Sequence, residues 1–269
     1  MGIMLMGLAV VATSGMFLAS KQHMRMQARE IETTQAARAA VDMIVRDLRL
    51  GGACLPVTGD FISLAGTNSG NEDMIITRTG LTRPDLSCIR SAIPVDANPV
   101  GVTAGASVVP VQSAEGFEAG MRAYIRHPDG AGEYFDITGV PSATQLSKSG
   151  TLSRDYPDSS GVYAIDERRF WISWWNGPRG PQPELMLQVG SGAAQSFAVG
   201  IEKLDIQYQL RRDCPPCDNV NLPADNDEWS IVEQVLLNVT ARSELPDEGG
   251  DYYRRTITVG VKPRNLLPQ

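Results

Sequence analysis

The first twenty residues, Met1 to Ser20, contain no charged side chain, and no proline or glycine interrupts the stretch from Ser20 to Leu50 that follows. Twenty apolar residues in a helix span about 30 Å, the thickness of a bilayer core. Together the two halves predict one helix of about 75 Å. Beyond Lys21 the pattern turns amphipathic: Ala37, Val41, Ile44 and Leu48 recur at helical spacing with Arg38, Asp42, Arg46 and Arg49 between them. Gly51-Gly52 supplies the stop. A cleavable signal peptide would open with basic residues and close in a small-residue site at a turn; here no basic residue opens the apolar run, and the run goes straight on into a helical pattern. The first half is therefore expected to pack in lipid or among other helices, and the second half to pack on the body. Lys21, Arg25 and Arg29 follow the apolar run and, by the positive-inside rule, would favour a cytoplasmic body. The rule compares the two flanks of a span, and with one flank to read this signal is discounted, though it stands as an objection.

The body reads differently. With 26 Gly and 17 Pro it is rich in turn residues. Leu204, Ile206, Tyr208 and Leu210 alternate with Lys203, Asp205, Gln207 and Gln209, Val235 to Ala241 alternate likewise, and so do Ile257, Val259 and Val261. Three such strands predict an antiparallel sheet with one dry face, on which the helix around Val41 to Leu48 would lie. Met74–Ile76 is a further strand candidate, and residues 93–196 read as an inserted β-rich sub-domain. In the insertion, Val108-Val109, Met121–Ile125, Tyr134–Ile137, Val162–Ile165 and Phe170–Trp175 are short strand candidates. A net charge of −7 with scattered basic residues argues against a nucleic-acid partner.

The helix, ending in AARAAVDMIVRDLRLGG (Ala36 to Gly52), and the closing segments FAVGIEKLDIQYQL (Phe197 to Leu210), WSIVEQVLLNVTARS (Trp229 to Ser243) and YYRRTITVGVKPRN (Tyr252 to Asn265) resemble the PilW-like minor pilins of type IV pili. The resemblance covers residues 1–90 and 197–269. It implies an α+β, pilin-like fold: a helical segment 1–52, with 1–20 its membrane and filament-core half and 21–52 its amphipathic half, and a head over 53–269. It also implies a non-enzymatic role in initiating pilus assembly, with other pilins and the assembly machinery as partners. The location implied is the bacterial inner membrane, single-pass with a periplasmic head, and then the filament at the cell surface. Met1, Leu5, Leu8, Val11, Phe17, Val41, Ile44 and Leu48 would carry the assembly contacts. Pilins of this kind are made with a basic leader, a glycine cleavage site, an aromatic residue and a glutamate, and none is found here. Aligning the helices on Arg46-Asp47-Leu48-Arg49 places that glutamate a few residues upstream of Met1, so either a start assigned too late, at an internal Met, or a trimmed sequence is expected. A type II secretion pseudopilin shares this plan and is the alternative of the same class.

Other constellations carry other expectations. Four cysteines allow two disulfides, and Cys54–Cys88 with Cys214–Cys217 is the simplest of the three pairings. Cys214-Pro-Pro-Cys217 has redox spacing, which would make the chain a membrane-anchored thiol oxidoreductase. Acidic loop residues follow it, however, where a reactive thiol wants a helix N-terminus. A four-cysteine zinc site would need two close pairs, and Cys54 and Cys88 are too far apart in sequence. Asp225, Asp227 and Glu228, near Asp213 and Asp218, are candidate calcium ligands without the spacing of an EF-hand; a solvated acidic loop is the simpler reading. No other cofactor is expected. His23 and His127 are isolated, and Asn238-Val-Thr240 falls inside a strand pattern. Alternation puts Phe170, Ile172 and Trp174 on one face of their strand and Trp171 and Trp175 on the other. That second pair could stack on a sugar or a partner surface, the adhesin alternative.

Overall fold

A run free of glycine and proline from Ser20 onward lets helix α1 (Gly2–Leu50) continue unbroken to the body. The computed structural model describes the chain apart from Met1 and residues 57–58, 71, 96–100, 178–179, 212–218, 248 and 264–269; for residues 2–15, 18 and 19 it describes the backbone only. At the helix end, Gly51 N–H donates to the Asp47 carbonyl at 2.9 Å. Gly52 then turns the chain with φ +80, a conformation in which a side chain would be strained. Ala37, Ala40, Val41, Ile44, Val45 and Leu48 form one buried face, while Arg38, Asp42, Arg46 and Arg49 point to water.

The strands that follow are β1 (Leu64–Thr67), β2 (Met74–Gly80), β3 (Arg90–Ala92), β4 (Val108–Pro110), β5 (Arg122–Arg126), β6 (Gly132–Ser142), β7 (Gln145–Lys148), β8 (Gly161–Gly177), β9 (Gly180–Val189), β10 (Gln195–Val199) and β11 (Ile201–Leu210). A five-residue helix α2 (Asn226–Ser230) precedes β12 (Val232–Arg242) and β13 (Arg254–Val261). The strands β1 to β10 make one ten-stranded sheet on the path β1-β2-β8-β5-β6-β7-β4, with β3 and β9 also on β8 and β10 on β9. The strands β11-β12-β13 make a second, antiparallel sheet. Between β10 and β11 stands only Gly200, at φ +87, where the chain leaves one sheet for the other.

Two main cores result. In the first, the buried face of α1 meets Leu204, Ile206, Val235, Leu237 and Val239 of the small sheet, and Phe170, Ile172 and Leu185 of the large one. The second gathers Ile93, Val109, Ala123, Ile125, Phe135, Ile137, Leu146, Tyr156, Val162 and Ala164, all between Ile89 and Ala164. The 17-residue strand β8 runs through both. Cys54 and Cys88 are joined in a disulfide that ties the segment after α1 to the approach to β3.

Two expectations are corrected. The fold is β-rich, mostly antiparallel sheet with one N-terminal helix, and not the pilin-like α+β arrangement of a long helix on a head sheet. The physical reason is that strand pairing consumes nearly the whole body, and α1 contributes only its last turns, Ala37 to Leu48, to the core. The single-pass inner-membrane location is corrected as well: among the described residues, no helix is long and apolar enough to cross a membrane. From Ser20 on, the helix carries Lys21, His23, Arg25, Arg29, Glu30 and Glu32, so no apolar window extends over that part of it.

Candidate functional site

The helix divides at Thr33. Its side chain is buried, and its hydroxyl donates to the Arg29 carbonyl one turn back, at 2.7 Å. C-terminal to it, Val41, Ile44 and Leu48 are sealed in the first core. N-terminal to it, Phe17, Met24 and Ile31 are 70%, 68% and 57% exposed. Seven residues make two turns, so these three stand in a row on one stripe of the helix, the spacing of a helix–helix seam. Met16 and Met26 add apolar surface beside them. The side chains of Met1, Leu5, Leu8 and Val11, also expected to carry assembly, lie outside the described residues.

The loop between β12 and β13 comes up to the helix where it leaves the body. Two open gaps separate them, of about 370 and 540 Å³. Arg25, Met26, Arg29 and Asp247 line the first; His23, Glu30, Tyr252 and Arg254 line the second. The loop is shaped by Asp247, whose Oδ1 accepts from the backbone N–H groups of Gly249 and Asp251, each at 2.8 Å.

Charged groups fix the helix base. Asp47, almost wholly buried, accepts from Arg168 Nη1 on β8 with 3.3 Å to each oxygen, and Arg168 also holds Asp166 at 2.9 Å. Burial pushes the Asp47 carboxyl above its ordinary range, and the Arg168 guanidinium only partly offsets this. With its folded-state pKa raised, this group favours the fold more as pH falls. Asp73 ties the two sheets: its Oδ2 accepts from Ile206 N–H at 2.8 Å and its Oδ1 from Ser69 N–H at 2.9 Å. Its own N–H donates to Leu204 O, satisfying the edge of β11.

Asp225, Asp227 and Glu228 form the first turn of α2 and its approach. Asp225 is the N-cap and accepts from Glu228 N–H at 3.0 Å, while Glu228 Oε2 reaches back to Ala224 N–H at 2.7 Å. The arrangement has the form of a capping box, so two of the three calcium candidates have backbone partners. No group of three or more metal-binding side chains lies together among the described residues. Cys214 and Cys217 lie outside the described residues, as do Asp213 and Asp218. His127 pairs with Asp129 in a surface turn, 2.7 Å apart. Trp174 and Trp175 stand near the C-terminal end of β8, where it pairs with β9, and both are exposed, while Phe170 and Ile172 are buried.

Met24 and Ile31 were not among the residues singled out from the sequence. The signal that finds them is the seven-residue step from Phe17, visible once the charged residues between are set aside. Comparison with protein-family models gives no match, and no curated protein matches the chain.

Proposed function

We propose that this chain is a filament subunit of the minor-pilin kind, which joins other subunits by packing its N-terminal helix among theirs and so helps to start assembly. The observation that supports it best is the exposed row Phe17, Met24 and Ile31 on a helix whose other end is locked into a folded body. An exposed apolar row at seven-residue spacing, with Lys21, Arg25 and Glu32 beside it, supplies one apolar position per heptad of a helix seam. The body then serves as a rigid carrier that chooses neighbours through its surface. The reading requires no bond-making chemistry, and its driving force is burial of the helix.

The test is co-purification from the native cells, comparing the natural chain with a Phe17→Ser/Met24→Ser/Ile31→Ser variant. Because these side chains are exposed, melting of the body should stay unchanged while recovery of the other helix-bearing subunits falls at least about tenfold, as when a few anchors carry an interface. Equal recovery by the variant would reject the reading. The identity of the recovered subunits separates a pilus from a type II secretion pseudopilus.

A further inference from the structure

The outward face of the large sheet carries a small built groove that the filament reading does not use. Strand β8 sends Phe170 and Ile172 inward to the first core and turns Arg169 and Trp171 outward. The register sets Arg169 opposite Gln188 of β9 and Ile76 of β2, and sets Trp171 opposite Met186. Around the indole opens a groove of about 310 Å³ lined by Glu72, Met74, Arg169, Trp171, Ile172 and Gln188. That volume is at the low end for ligand sites, room for one small ring.

The polar side chains of the groove are each held by a protein partner and keep capacity to spare. Glu72 Oε1 accepts from the Trp174 indole N–H at 2.6 Å. Arg169 donates through Nε and Nη2 to Glu167 Oε1, at 3.1 and 2.6 Å. Gln188 Nε2 donates to the Gly192 carbonyl at 2.9 Å. Glu72 Oε2, Gln188 Oε1 and Arg169 Nη1 have no partner among the described residues. Two acceptor oxygens and one donor nitrogen thus line the groove together with Trp171, on side chains that each already make at least one hydrogen bond to the protein.

We propose that this groove binds a neutral pyranose ring. A sugar ring offers an apolar C–H face to an indole and a rim of hydroxyls that both donate and accept, which is the pattern present here. An acidic sugar or a phosphate is less well suited: an added anion would face the Glu72 carboxylate, and Arg169 is already engaged by Glu167. A peptide strand is disfavoured because β8 is paired on both sides here, with β2 and with β9, and offers no free ladder. The inference does not rest on the filament reading, and changes at Phe17, Met24 and Ile31 leave it untouched.

Isothermal titration of the full chain with the methyl α- and β-pyranosides of glucose, galactose, mannose and N-acetylglucosamine tests it. At least one should bind saturably, one per chain, with Kd of about 10 mM or tighter. Trp171→Ala should abolish the signal, and Glu72→Gln and Gln188→Ala should each weaken it by about five- to tenfold. Both polar changes keep the indole, so they report even if Trp171→Ala disturbs the fold. No saturable heat with any of the eight glycosides, or binding that survives all three changes, overturns the proposal.

Discussion

Glu167 sits in the middle of β8, 1% exposed, with three guanidinium groups around it. Arg78 Nε donates to Oε2 at 2.6 Å, Arg169 Nη2 to Oε1 at 2.6 Å, and Arg122 stands 3.7 Å away. Tyr134 lies beneath Arg78 and Arg122, with its ring centroid 5.1 and 5.3 Å from them. Burial alone would raise the Glu167 carboxyl; the hydrogen bonds and charges of Arg78, Arg169 and Arg122 outweigh it and hold the carboxyl below its ordinary 4.5. A lowered folded-state pKa means stability that is present above the unfolded value and lost as pH falls through the folded one. Glu167→Gln would remove the negative charge the three arginines share and turn one of the two acceptor oxygens into an NH2 donor, and should cost about 3–5 kcal/mol at neutral pH. Denaturation curves of both proteins should converge as pH drops from about 4.5 downward. A gap that stays constant with pH would mean the carboxylate charge is not what holds the cluster.

The same residue explains what the sequence concealed at the level of elements. Val162–Ile165 and Phe170–Trp175 read as two separate strands because Asp166-Glu167-Arg168-Arg169 interrupts the apolar alternation. In the fold these four belong to one strand, since each charge finds a partner on β8 itself or on a neighbouring element. Long-range pairing of that kind leaves no mark in a local window. By contrast, the alternation at Leu204, Ile206 and Tyr208 and at Val235, Leu237 and Val239 was legible, because a sheet wet on one side and dry on the other writes its burial into every second residue. The buried helix face was legible for the same reason at its own period. Leu48, fully buried under the small sheet, gives an element-scale test: Leu48→Ala should cost about 2–5 kcal/mol in chemical denaturation. A loss below about 1 kcal/mol would mean that α1 is not an integral part of the first core.

For the whole molecule, the few strands with clear alternation do not by themselves announce a β-rich class. Short strands such as β1, β3, β4 and β7, of three or four residues, carry little periodicity, yet they complete the ten-stranded sheet and make the chain β-rich. The groove at Trp171 was half legible: alternation turned Trp171 outward, but Glu72 and Gln188 come to it only through the pairing of β2 and β9 with β8. What unifies the molecule is a division of labour along α1. Beyond Thr33 it is a core element, and before it the helix bears an apolar row the body does not cover. The central claim is that this row meets the helices of other subunits. Site-specific photo-crosslinking in the native cells measures it most directly, with a photoreactive residue placed in turn at Phe17, Met24, Ile31 and, as a control on the body, Thr256. Adducts to other helix-bearing filament subunits from the three helix positions, and none from Thr256, are the expected result; no adduct from any helix position, or equal labelling from Thr256, would contradict it.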